Sequence, residues 1–334
     1  MNGGGRVSMQ ADSARASSTR NMVPATKLRV AARTQVAEDV ISLTLVDPAG
    51  GRLPTWTPGS HIDLVLPTGV TRQYSLCGDR WDPYAYRVAV LRERQGRGGS
   101  EWLHANVREG GILGFSGPRN HFPLWPAEQY LFIAGGIGIT PMLPMIEHAE
   151  RTGRPWRLLY GGRRRASMAF VDELEQYVDR VHIAPQDEVG LLDLAGAIAS
   201  VSAGTKVYSC GPAALLDALE SACRQCPPHT LHTERFEALA QGSATNREFT
   251  ARLERSGRDI HVAADTALLH SLNDAGIAIV SSCLQGTCGT CEVAVLEGTP
   301  DHRDSVLGQE DRRIGDCMMA CVSRAYSDRI TLDL

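Results

Sequence analysis

Apolar residues recur at every second position through the first third of the chain. Ile41, Leu43 and Leu45 show it, as do Ile62, Leu64 and Leu66, and Val88 with Val90. A period of two predicts half-buried strands. Breaks at Pro54, Pro58–Gly59, Pro67–Gly69, Gly110–Gly111 and Gly117–Pro118 space these runs. Short strands so punctuated, from Leu28 to Phe122, predict a small antiparallel barrel or sandwich. From Tyr130 the texture changes. YLFIA (130–134) and RLLYGG (157–162) read as strands, and so does KVYSCGP (206–212), which ends in a turn. Between and after them come helical stretches near Pro141–Glu150, over FVDELEQY (170–177), and over PAALLDALESACR (212–224). The last places Leu215, Leu216, Leu219 and Cys223 on one face. Strands alternating with helices predict an open parallel sheet. The rhythm fails over 233–248, where Gln241–Asn246 reads as a linker. Beyond Phe249, FTARLER and DIHVAA read as strands and TALLHSLNDAG as a helix ending at Gly276, a compact α+β unit.

A length of 334 residues matches the two or three domains this pattern suggests. The formal net charge of −4 argues against a nucleic-acid partner. No run of 18 apolar residues occurs, so no membrane-spanning helix is expected. Residues 1–24 are rich in Gly, Ser, Ala and Arg without periodic apolar positions, and read as a disordered tail. A targeting peptide is the alternative, but the segment lacks an apolar stretch. No secretory signal is evident, so the nine cysteines are expected in a reducing cytosol, where clustered thiols bind metal rather than form disulfides.

Cys283, Cys288 and Cys291 have the spacing C-x4-C-x2-C in the string CLQGTCGTC. Thiolates so close must wrap one centre in a tight loop, for which Gly286 and Gly289 supply the permissive backbone. This spacing with a distant fourth cysteine is that of a plant-type [2Fe–2S] cluster. Structural zinc is the plainer alternative, but zinc sites favour C-x2-C pairs. The fourth ligand has two candidates, Cys317 and Cys321. GGIGITP, Gly135–Pro141, lies between a predicted strand and a predicted helix, where glycines let the backbone approach a pyrophosphate and a helix start favours negative charge. It departs from the GxGxxG fingerprint, and no acid ends the next strand, which runs instead into Arg163, Arg164 and Arg165. Cys210–Gly211–Pro212 puts a small thiol at the ligand-binding edge of the sheet; a buried Cys before a helix would look the same. In RQYSL (72–76) a Tyr can cover a flat ring and an Arg can fork onto a phosphate, although a solvated strand often has this pattern too. GRGGS (96–100) is a further turn able to offer N–H groups to an anion.

The order of these motifs resembles the ferredoxin–NADP reductase superfamily. The strings RQYSLCGD, GRGGSEWLH, PRNHFPL, AGGIGITPM, CGTCEVAVLEGTPDHRDSVL and CVSRA narrow the resemblance to the phthalate dioxygenase reductase family, over about residues 25–334. The resemblance implies a multidomain chain: an antiparallel β-barrel flavin domain (25–124), an α/β parallel-sheet NAD domain (125–232), a linker (233–248) and an α+β, β-grasp plant-type ferredoxin domain (249–334), after the tail. The family's gap between its third and fourth ligands matches Cys321, leaving Cys317 as a core or surface thiol.

By the same resemblance the barrel holds FMN, although many superfamily relatives use FAD. Arg72 is expected on the FMN phosphate, and Tyr74 and Ser75 on the ring system. Ala89, Val90, Leu91, Gly98, Gly99 and Ser100 would line the ribityl chain and phosphate, and Thr140 and Phe236 would lie near the flavin. Gly135, Gly136, Gly138, Pro141, Cys210, Gly211 and Pro212 would surround NAD, with Cys210 near the nicotinamide and Arg163 at the adenosine end. NADH is expected over NADPH, although Arg164 and Arg165 could hold a 2′-phosphate. The implied activity is electron transfer from NADH through FMN and the [2Fe–2S] cluster to a protein acceptor. That acceptor would be the terminal component of a two-component Rieske-type oxygenase acting on an aromatic or similar small substrate. A P450 or di-iron hydroxylase is the alternative acceptor, and a non-catalytic redox carrier or sensor the alternative class. No acid–base residue is required, and Glu234 and Asp316 read as surface carboxylates. The protein is expected to be a cytoplasmic monomer without membrane attachment.

Overall fold

The computed structural model describes residues 26–224, 230–237 and 246–334. The expected tail, 1–24, and half of the expected linker, 238–245, lie outside these residues. Six strands form the first unit: β1 (Thr26–Ala37), β2 (Val40–Val46), β3 (Ser60–Val65), β4 (Thr71–Ser75), β5 (Ala85–Leu91) and β6 (Ile112–Asn120). Their order is β4-β3-β6-β1-β2-β5, every pair antiparallel. A bridge between Leu76 and Val88 joins the two edges and closes a barrel. The alternating positions face inward: Ile41, Leu43, Leu45, Ile62, Leu64, Val88 and Val90 are fully buried in one core. One helix, α1 (Gly99–Asn106), sits against β4 and β5.

The second unit carries β7 (Gln129–Gly135), α2 (Met142–Arg151), β8 (Trp156–Gly162), α3 (Val171–Leu174), β9 (Val181–Pro185), α4 (Gln186–Val189), α5 (Leu194–Ala199), β10 (Thr205–Cys210), α6 (Ala213–Arg224) and β11 (Thr230–Glu234). Its sheet is wholly parallel, in the order β11-β10-β7-β8-β9. The expected helix over 170–177 is a single α-turn continued by a 3-10 turn. Leu216 and Leu219 are the fully buried members of the α6 face. The linker expected at 233–248 starts too early. Thr233 and Glu234 belong to β11, paired in register with Ser209 and Cys210. TLHTE has no apolar run, and only the free edge of β10 makes a strand of it.

The third unit contains β12 (Phe249–Leu253), β13 (Arg258–Val262), α7 (Leu268–Asp274), β14 (Glu292–Glu297), β15 (Pro300–Asp301), α8 (Gln309–Ile314), β16 (Cys317–Met319), β17 (Arg324–Ala325) and β18 (Arg329–Leu332). The mixed sheet runs β13-β12-β18-β14-β16, and Leu268, Leu269 and Leu272 of α7 enter its core. Between α7 and β14 lies the long cysteine loop.

Candidate active site and metal centre

The cysteine loop is held by its own backbone. Gly286 and Gly289 have φ of +69°, the left-handed region that glycine enters without strain. Gly286 has a second reason to be Gly, because a Cβ there would stand 2.8 Å from the Cα of Asp304. The turns aim amides at sulfur: Gln285 N and Thr287 N donate to Cys283 Sγ at 3.3 and 3.4 Å, and Thr290 N to Cys288 Sγ at 3.4 Å. Amides so directed stabilise thiolates and tune a cluster's potential. Cys283 bonds through its side chain to Cys288 and Cys321, and Cys291 bonds to Cys321. The hydrogen bonds from Cys288 and Cys321 hold Cys283 far below the usual thiol range, while the bond to Cys283 pushes both partners up. Four thiols thus share charge at one place, which fits a cluster between them. Cys317 stands apart on β16, its thiol pushed up to about 12 by burial.

On the barrel, β4 presents the RQYS residues. Arg72 donates to two backbone carbonyls, Thr71 O at 2.8 Å and Arg97 O at 2.9 Å, and among the described residues it meets no carboxylate. Desolvation and the neighbouring Arg97 guanidinium lower its pKa. Two neighbouring arginines with no carboxylate partner among the described residues favour an anion. The start of α1 supplies the rest: Gly98, with φ +76°, leads into Gly99, whose missing side chain makes room for Arg72. A Cβ on Gly99 would stand 2.6 Å from Arg72 Nε. Ser100 Oγ accepts from Glu93 N at 2.9 Å, which ties the turn to the preceding loop. Arg97, missed in the sequence, was marked there only by its place inside GRGGS. Tyr74 is half-buried with its phenol pushed up by burial, and Ser75 Oγ is buried with no partner among the described residues. On β5 the expected residues divide. Ala89 and Leu91 face the second unit, whereas the Val90 side chain points into the barrel core and its carbonyl meets His104 Nε2 at 2.9 Å. Any contact from Val90 to a ligand is therefore made by backbone alone.

Across the cleft, Gly135, Gly138 and Gly211 are small for packing. A Cβ on Gly138 would stand 2.2 Å from Cys210 O, and one on Gly135 2.7 Å from Pro212 Cδ. They let the turns after β7 and β10 touch. Only Gly136, at φ +54° with open space around it, presents bare backbone outward. Thr140 is buried and donates to Ile137 O at 3.0 Å. Pro141 caps α2. Arg163 is exposed, while Arg164 pairs with Glu38 at 2.7 Å and Arg165 with Glu175. Phe236 follows β11 and is 42% exposed. Asp316 is exposed, but Glu234 is not the surface carboxylate expected of it. Its register opposite Cys210 turns it inward, with Oε2 3.9 Å from Cys210 Sγ. Burial pushes the Glu234 carboxyl up to about 8 and the Cys210 thiol well above its ordinary range. An acid and a thiol kept neutral side by side at the sheet edge could not be read from TLHTE.

Residues 251–326 match the 2Fe-2S iron-sulfur cluster binding domain, and residues 132–221 the oxidoreductase NAD-binding domain. Phthalate dioxygenase reductase of Burkholderia cepacia is 38% identical over 92% of this chain and 97% of its own. The chain belongs to the phthalate dioxygenase reductase family. A solved phthalate dioxygenase reductase, described as a modular structure for electron transfer from pyridine nucleotides to [2Fe–2S], covers 93% of this chain and 98% of its own. It does so at 37% identity and a TM-score of 0.68. Phenoxybenzoate dioxygenase subunit beta of Ectopseudomonas oleovorans is 45% identical over 92% of this chain and 97% of its own. An intact type IV self-sufficient cytochrome P450 monooxygenase matches 96% of this chain at 42% identity and a TM-score of 0.88; the present chain spans 43% of that protein. Family membership gives the three-domain architecture, the oxidoreductase class and the cofactor set of FMN, NADH and [2Fe–2S]. Among the described residues no helix is long and apolar enough to cross a membrane.

Proposed function

We propose that this chain is the NADH-dependent reductase component of a two-component Rieske-type oxygenase, working as a cytoplasmic monomer. The observation that carries the reading is the joining of an anion cradle, a nucleotide-type sheet edge and a four-thiol centre in one chain. Relatives named as parts of dioxygenase systems over almost their whole length support the acceptor. A thiol set that must stay reduced supports the compartment. When bound, the flavin and the cluster supply the change from two-electron to one-electron transfer.

The chain's own residues bind and orient. Arg72, with Gly98–Ser100 at the start of α1, holds the FMN phosphate. Tyr74 and the unpartnered Ser75 hydroxyl meet the ring, with Ala89, Leu91, the Val90 backbone, Thr140 and Phe236 around it. The turns at Gly135–Pro141 and Cys210–Pro212 hold NADH, with Arg163 toward the adenosine. Burial keeps Cys210 and Glu234 neutral beside the nicotinamide position, so neither places a fixed charge there. Cys283, Cys288, Cys291 and Cys321 hold the cluster. A P450 acceptor is the second reading, favoured by the match to the P450-fused chain. Reconstitution decides between them. The purified holoprotein with NADH should support substrate-coupled oxygen uptake by a Rieske oxygenase of this family's systems, and transfer to a P450 alone would replace the reading.

A further inference from the structure

The third unit touches the barrel through a network that the family assignment does not explain. Asp63 lies on the outer side of β3, between the core residues Ile62 and Leu64, and is only 2% exposed. Its Oδ1 accepts from Gln73 Nε2 at 3.1 Å. Its Oδ2 accepts from Ser116 Oγ at 3.0 Å, from the Arg119 guanidinium, and from Ser282 Oγ at 2.7 Å. Gln73 stands between Arg72 and Tyr74, the residues of the flavin cradle. Ser282 belongs to the other domain and directly precedes Cys283. One carboxylate thus spans from the flavin-bearing strand to the residue before a cluster ligand. A second contact accompanies it. The His121 ring stacks on His61 at 5.8 Å and lies on the backbone of Gly289, inside the cluster loop. A Cβ on Gly289 would meet that ring at 2.3 Å. Beside these contacts the seam is open, with a cavity of about 440 Å³ lined by Arg119, Asn120, His121, Val280, Gly289 and Thr290. A seam that is not sealed by apolar packing depends on its few directional bonds.

We propose that Asp63 and Ser282 form a latch that docks the [2Fe–2S] domain on the flavin barrel and fixes the cluster loop beside the flavin strand. Both are positioning residues. The latch is separable from the barrel's own stability, because Gln73, Ser116 and Arg119 still satisfy Asp63 when Ser282 is lost. Electron transfer between two sites falls steeply with distance, so a loosened seam slows that step and leaves the earlier hydride step alone.

The inference rests on the flavin-to-cluster order, and one arm of its test involves no electrons. The full-length holoprotein and Ser282→Ala are compared by small-angle scattering and by single-turnover absorbance after mixing with NADH. A hydrogen bond to a buried charged group is lost, so docking weakens by a factor of roughly 10–100. The variant is expected to show a broader particle and a flavin-to-cluster step slowed at least tenfold at elevated salt, with flavin reduction by NADH and the cluster spectrum unchanged. Ser282→Thr, which keeps the hydroxyl, should restore both readouts. Asp63→Asn should reproduce the defect from the barrel side; if that variant does not fold, the Ala and Thr pair at 282 decides. A wild-type scattering profile in Ser282→Ala overturns the latch, whatever the rate.

Discussion

Replacing Arg72 tests the flavin cradle most directly. Arg72→Ala removes a half-buried guanidinium that has no carboxylate to leave stranded, since its partners are the carbonyls of Thr71 and Arg97. The fold should therefore survive, and the loss should fall on the ligand. A bidentate charge-assisted contact to a phosphate is worth roughly 1.5–3 kcal/mol, so the Kd for FMN should rise by about 10- to 150-fold. Two further substitutions separate charge from geometry. Arg72→Lys keeps the charge but loses the fork and should fall between wild type and Ala. Gly99→Ala leaves every charge in place, yet its Cβ would stand 2.6 Å from Nε and 2.7 Å from Cγ, so Arg72 must move. It should weaken FMN by a smaller factor while leaving the cluster absorbance alone. Quenching of FMN fluorescence on titration into flavin-free protein reads all three. An unchanged Kd in Arg72→Ala would refute the phosphate assignment, and weakening in Arg72→Ala with none in Gly99→Ala would limit the error to the start of α1.

Cys321→Ala should abolish the [2Fe–2S] absorbance and its EPR signal, whereas Cys317→Ala, whose thiol stands apart on β16, should keep both. NADH should be preferred to NADPH in kcat/KM with a dye acceptor, because Glu38 and Glu175 already pair Arg164 and Arg165. Glu38→Gln with Glu175→Gln should narrow that preference, and an unchanged ratio would show that those arginines do not face the nucleotide. Glu234 has a folded-state pKa raised to about 8 from 4.5. Its contribution to stability is fully present below about pH 4.5 and is lost as pH rises through about 8, at most about 5 kcal/mol. Glu234→Gln should flatten that arm of the Tm-against-pH curve, and a curve of unchanged slope would place the carboxylate in water.

The parts of the fold legible in the sequence were those in which one face of an element meets the core. Period two gave the barrel strands, because Ile41, Leu43 and Leu45 all enter one interior. Thiol spacing gave the centre, because four ligands must reach one point whatever surrounds them. What escaped depended on neighbours far along the chain. β11 is a strand only because β10 offers an edge, so Glu234 looked like a loop carboxylate. Val90 looked like a lining residue because a motif names positions and does not say which way a side chain turns. Gly135 and Gly138 read as pyrophosphate glycines, and Gly211 as part of the nicotinamide turn, but their sequence does not show that their missing side chains also let two turns touch. Asp63 is illegible in the sequence, since an Asp in a strand has no local signature and its partners lie 10, 53, 56 and 219 residues away.

That distribution has a consequence for how the protein can change. The anion cradle draws on Arg72 and the Arg97–Ser100 turn, and the cluster site on the cysteine loop and Cys321, so a substitution in either affects one cofactor. The seam between them is assembled from β3, β4, β6 and the residue before Cys283, so no single segment carries it. Truncation at residue 248 tests whether the division of labour follows these lines. The shortened chain keeps the barrel core, the parallel sheet and β11, and loses Ser282 and Gly289, which meet Asp63 and His121 across the seam. Ser116, Arg119 and Gln73 still satisfy that carboxylate. The truncated protein should therefore bind FMN, accept hydride from NADH and reduce ferricyanide, which can take electrons from the flavin. It should fail with cytochrome c, a protein acceptor that needs the cluster as its exit. Cytochrome c reduction by the truncated protein at the full-length rate would mean that electrons leave from the flavin and that the seam has no part in their route.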